Sequence, residues 1–138
     1  MELIVNYLGN VQFEAVARGH KILCDQPLEG GGNDEALTPP ELLLASLATC
    51  AGYYAVQYLK VRNLPSAGLR VKINAEKVLS PARLEQFVIS LEAPGGTTPK
   101  DLEGIRRAAE KCLVKNTLLT PPSMRVEVDC HTTSPASA

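Results

Sequence analysis

The chain has 138 residues, 45% of them apolar, enough for one domain with a core of its own. Fourteen basic and fifteen acidic side chains leave a formal charge of -1, and few aromatics and no Lys/Arg run argue against a nucleic-acid partner. The opening MELIVNYLGN has no basic stretch followed by an apolar one, so no secretory leader is expected and the cytoplasm is the expected compartment.

In chain order, three short extended runs come first, Glu2 to Leu8, Val11 to Ala17 and Lys21 to Asp25, the first two joined at Gly9-Asn10. The stretch from Gln26 to Asp34 has no apolar period and three successive glycines, which makes it a loop. Thr38-Pro39-Pro40-Glu41 then predicts a helix start, with Thr38 and Glu41 as a capping box and proline in the first turn. This helix is expected to reach Lys60 or Val61. It is apolar on nearly every face from Leu42 to Val56, yet Ser46, Thr49 and Gly52 interrupt it and the stretch is shorter than the roughly 20 residues a bilayer needs. A buried central helix is therefore expected rather than a membrane span.

After the turn at Asn63-Leu64-Pro65, the alternation in Leu69 to Val78 and in Phe87 to Glu92 predicts two antiparallel strands with one wet face, connected through Ser80-Pro81-Ala82-Arg83. Thr98-Pro99-Lys100-Asp101 opens a second helix, in which Leu102, Ile105, Ala109, Cys112 and Leu113 recur at helical spacing until Thr120-Pro121-Pro122. Met124 to Asp129 alternates as a last strand, and Thr132 to Ala138 reads as a loose tail. Strands in consecutive groups predict an α+β fold in a single domain. Six short strands and one other helix give scant cover to so apolar a helix, so a homodimer that buries it further is expected.

Of the four cysteines, Cys50 falls in the central helix and Cys112 on the apolar stripe of the second, while Cys24 and Cys130 look structural or incidental. A disulfide framework is uncommon in a chain of this size and expected compartment, so free or redox-active thiols are the better reading. There is no CxxC, and His20 and His131 are far apart, so no metal site is expected. A cysteine on an apolar helical face is by itself most often core.

TPPELLLASLATC (Thr38 to Cys50) resembles the helix that leads to the first cysteine of OsmC/Ohr proteins, and EKCLVKNTL (Glu110 to Leu118) resembles their second cysteine segment. The GGGND loop and RGHKILCD (Arg18 to Asp25) fit in order and spacing. The resemblance implies an intertwined homodimer of OsmC-like fold with thiol sites at the subunit interface and no cofactor. Cys50 would be the peroxidatic thiol, Cys112 the resolving one, and Arg18 the cation facing the thiolate. The family's peroxidases place a glutamate directly after the proline, ten residues before the cysteine, where this chain has Pro40; Glu41 comes one residue later, in the Pro-x-Glu-Leu-Leu-Leu form of the broader OsmC-like branch. Leu113 follows Cys112 where proline is common in the family.

Leu43, Leu47, Tyr53 and Tyr54 are expected to line the site and to favour a greasy substrate. The implied reaction is thiol-dependent reduction of an organic hydroperoxide in oxidative-stress defence, with a dithiol reductant. Two other readings stay open: a non-catalytic dimer that binds a small apolar ligand, and a redox sensor.

Overall fold

The computed structural model describes residues 1–131. Three antiparallel strands come first: β1 (Ile4–Gly9), β2 (Gln12–Ala17) and β3 (His20–Cys24), in the order β1-β2-β3. Ile4 pairs with Val16, and Phe13 with Cys24. The turn into β2 uses Gly9 and Asn10 at positive φ, and the turn into β3 uses Arg18 and Gly19. The expected glycine punctuation is therefore real backbone chemistry, because these positions lie where a Cβ is usually disfavoured.

The glycine-rich loop follows and contains a single 3-10 turn at Leu28–Gly30. Asp25 organises it. Its carboxylate is fully buried and accepts from Gln12 Nε2 at 3.0 Å and from the backbone N–H groups of Gln26, Asn33 and Glu35 at 2.7, 3.2 and 3.1 Å. Gly32 is obligatory here, since a Cβ would overlap the Gln26 carbonyl. Gln12 comes first among the influences on Asp25; burial opposes it, and the three amides add to it, holding the carboxyl below its ordinary range.

α1 (Pro39–Val61) begins where the capping box predicts. Thr38 N–H and Oγ1 donate to Glu41 Oε2 at 2.7 and 2.9 Å, and Glu41 N–H donates to Thr38 Oγ1 at 3.4 Å. Leu47, Ala51, Ala55 and Leu59 form its buried stripe, each one helical turn from the next. At 23 residues the helix is long and apolar enough, by those measures alone, to cross a bilayer. In this fold it instead lies against the two-stranded sheet and the other helices.

That sheet is a hairpin of β4 (Arg70–Leu79) and β5 (Ala82–Glu92), with Val71 opposite Leu91 and Ile73 opposite Ile89. β5 starts five residues before the expected Phe87, because the turn is confined to Ser80-Pro81 and the strands stay paired to its edge. A bulge between Asn74 and Glu76 shifts the alternation, so Val78 rather than Lys77 continues the half-buried face. The core joins Ala55 and Leu59 of α1 to Ile105, with Leu91 of β5 and Leu69, just before β4, packed against it.

Two expectations about the C-terminal third are corrected. The second helix is not continuous: α2 (Pro99–Ala109) ends, and α3 (Leu113–Leu119) begins after Cys112, whose backbone is extended at ψ 118. The helical spacing of apolar residues ran straight across this break, with neither glycine nor proline to mark it. Residues 124–129 also form no strand. A strand's backbone groups need a neighbouring edge, and no described strand pairs with this segment. Its Met124, Val126 and Val128 side chains stand exposed. The expected tail, 132–138, lies outside the described residues. The result is an α+β architecture of antiparallel sheets and three helices.

Candidate functional site

The break before α3 changes what the two cysteines meet. Cys50 lies on α1 one turn beyond Leu47, beside the buried stripe, and is half-buried. Cys112 is fully buried at the N-cap of α3, where its Sγ accepts from Lys115 N–H at 3.3 Å. The Cys112 thiol and the backbone N–H groups of Val114 and Leu113 lie near enough to the Cys50 sulfur to favour its ionised form. A continuous helix would have committed those amides to carbonyls four residues earlier. The interruption frees them to face α1.

The surroundings divide the two thiols electrostatically. For Cys50, burial works against ionisation, but the Val114 amide, the Cys112 thiol and the Leu113 amide together outweigh it and hold its pKa below the ordinary value. For Cys112, burial, the hydrogen bond to Cys50 and repulsion by the Cys50 thiolate outweigh the Lys115 and Val114 amides and push the pKa up. All four cysteines are free thiols; Cys24 is half-buried at the end of β3 and Cys130 is exposed.

Arg18 does not join this pair within the chain. It is exposed in the β2–β3 turn at φ 51, and no cation is among the groups that shift Cys50. Glu41 is likewise occupied elsewhere, with its carboxylate engaged by Thr38 N–H and hydroxyl, which lower its pKa. The structure therefore gives Glu41 the capping role and places it at the far end of the helix segment that carries Cys50.

Of the expected lining residues, Leu47 faces a cleft of about 390 Å³, walled by Phe87 and Ile89 of β5 and by Lys115, Leu118 and Leu119 of α3. Tyr54 borders an open groove with Leu113, Asn116 and Thr117. Leu43 and Tyr53 line neither; Tyr53 is exposed, its ring edge-on to Tyr54 at 5.2 Å. Lys115 was not anticipated: its ammonium pairs with Glu110 in the wall of the apolar cleft. Its only sequence signal was proximity to Cys112. Among the described residues no three His, Cys, Asp or Glu side chains converge as a metal site.

No curated protein sequence matches the chain. Solved structures resemble it in fold. A Psychrobacter arcticus protein named for osmotic stress induction and a detoxification response superimposes with a TM-score of 0.77 at 22% identity, covering 83% of this chain and 85% of that one. An OsmC-like protein from Mycoplasma pneumoniae gives 0.74 at 16% identity and 87% coverage of both. An organic hydroperoxide resistance protein from Legionella pneumophila gives 0.61 at 19% identity, covering 85% and 87%. At these identities the likeness speaks for the fold. The model of the family described as OsmC-like protein matches residues 31–127, a span holding the end of the glycine-rich loop, α1, the hairpin and both thiol-bearing segments, and the chain belongs to that family.

Proposed function

We propose that the protein reduces organic hydroperoxides through Cys50 and Cys112, in oxidative-stress defence. The observation that carries this reading is the asymmetric thiol pair: the Val114 and Leu113 amides and the Cys112 thiol lower the Cys50 pKa, while burial and Cys50 itself raise that of Cys112. Membership of the OsmC-like family supports it, as do the hydroperoxide-resistance names of structural neighbours from Legionella pneumophila and Elizabethkingia anophelis.

In the proposed cycle the Cys50 thiolate attacks the distal peroxide oxygen. The O–O bond breaks, the alkoxide leaves and takes up a proton as the alcohol, and Cys50 becomes a sulfenic acid. Cys112 then attacks that sulfur, a disulfide forms and water leaves. An external dithiol supplies two electrons and two protons to restore both thiols. No step requires a cofactor or metal. The Leu47–Phe87–Leu118 cleft is the proposed berth for the organic group, which gains by burying apolar surface.

A homodimer completes the reading. Apolar side chains on both faces of the β1–β3 sheet, Ile4, Val5, Tyr7 and Leu8 among them, stand exposed in the single chain, as does Tyr53 of α1. A second copy is the proposed cover, and Arg18 acts on Cys50 only if that copy supplies it.

The test is turnover of tert-butyl hydroperoxide with dithiothreitol by wild type, Cys50→Ser and Cys112→Ser. The expected result is loss of about 100-fold or more in Cys50→Ser, since the nucleophile is gone, and a disulfide absent from Cys112→Ser. Equal, slow rates in all three proteins would discard the enzyme. A second reading, a non-catalytic binder of small apolar ligands, is favoured by the cleft and by the fact that, among the described residues, no cation contributes to the Cys50 shift. Such a protein would keep ligand affinity in both variants. A redox sensor would form the Cys50–Cys112 disulfide once and fail to cycle.

A further inference from the structure

The last turn of α1 and the face of α2 enclose a second concavity, of about 490 Å³, that the thiol chemistry does not use. In a chain of net charge -1 its lining is positive: Arg62, Lys100, Arg107 and Lys111 surround it. Two acids belong to the same region. Glu103 shares its carboxylate between Arg106 and Arg107, and Asp101 accepts from Tyr58 Oη at 2.9 Å. Four cations against two carboxylates leave an excess of two positive charges. Among the described residues, Arg62, Lys100 and Lys111 enter no ion pair.

The floor is held in place. Gly104 lets α2 approach Tyr58, because a Cβ there would overlap the phenol ring. The ring, anchored through Asp101, carries the Arg62 guanidinium over its face, 3.8 Å from the centroid. Cations near helix C-termini often just oppose the helix dipole, and Arg62 is the C-cap of α1. Here its guanidinium is also stacked on Tyr58, and both side chains line the groove. A fixed guanidinium fork beside mobile ammonium groups matches clustered anionic oxygens.

We propose that this groove binds a small multivalent oxyanion, a molecule carrying phosphate or several carboxylates. The volume suits a small molecule. The probes are inorganic pyrophosphate and citrate, titrated calorimetrically at low ionic strength into the full chain, with 1H–15N spectra following the Gly104 and Lys111 amides. The expected result is saturable binding of one probe per chain, weakened about tenfold by Arg62→Gln and by Lys111→Gln and unchanged by Lys77→Gln on the distant hairpin. Which probe binds tighter identifies phosphate or carboxylate as the oxygen source. Cys50→Ser is expected to bind the probe normally, which separates this site from the thiol reaction. Absence of saturation by either probe, equal weakening by Lys77→Gln, or capture by phosphatidylglycerol vesicles alone would overturn the proposal.

Discussion

Cys50 and Cys112 are chemically identical, and the difference between them lies in what surrounds each: the Val114 and Leu113 amides and the Cys112 thiol act on Cys50, the Lys115 and Val114 amides on Cys112. Burial opposes ionisation of both, but only Cys50 gathers enough hydrogen bonds to overcome it. Alkylation by iodoacetamide, resolved by peptide mass spectrometry across pH, is therefore expected to give Cys50 a midpoint below that of free cysteine and Cys112 one above it. Replacing Cys112 by Ala removes a donor and should move the Cys50 midpoint upward; an unchanged midpoint would mean that the thiol contact contributes nothing. Two of the groups that lower the Cys50 pKa are main-chain N–H groups that every residue but proline carries, and the third is the Cys112 thiol. The family resemblance pointed to a cation, Arg18, which is not among them. The leucine at position 113 gains meaning here, since a proline in its place would have no N–H to give.

At the scale of elements, the loop between β3 and α1 and the break between α2 and α3 are the two devices that shape the site region. The loop is tied by the Asp25 carboxylate to Gln12 and three backbone amides. Because its folded-state pKa is depressed, Asp25 contributes stability that is fully present above its ordinary value of 3.8 and is lost as pH falls through the lower folded value. Wild type is thus expected to lose more denaturant resistance than Asp25→Asn on acidification from pH 5 to below pH 3, read by urea midpoints; parallel losses would remove Asp25 from the account. Capping residues at Thr38 and Thr98 were legible because the box is a local pattern with a local cause. The α2–α3 break was not. Glu110, Lys111 and Cys112 are compatible with a helix, and what ends it there is the seat that α3 finds against α1.

For the molecule as a whole, the balance of apolar surface is uneven. α1 has one buried stripe along its length, and the N-terminal sheet leaves Ile4, Val5, Tyr7 and Leu8 in water. Surface of that kind usually marks an interface. Sedimentation equilibrium is expected to give twice the chain mass, and Tyr7→Glu with Val5→Glu to shift the equilibrium toward the monomer; a wild-type monomer at micromolar concentration would refute the dimer and leave Arg18 with no route to Cys50. Alternation at Met124, Val126 and Val128 records a preference for pairing, but no described strand takes that segment as a neighbour.

The sequence by itself determined the α+β class, the five described strands in their order, the extent of α1 and the family, because alternation, capping and turn glycines act over a few residues. Only the tertiary structure decided that Cys112 caps a separate helix and that the groups lowering the Cys50 pKa are the Val114 and Leu113 amides and the Cys112 thiol rather than Arg18. Those outcomes depend on which groups meet across α1 and α3. Hydrogen bonding and desolvation between elements distant in sequence leave no periodic trace in it.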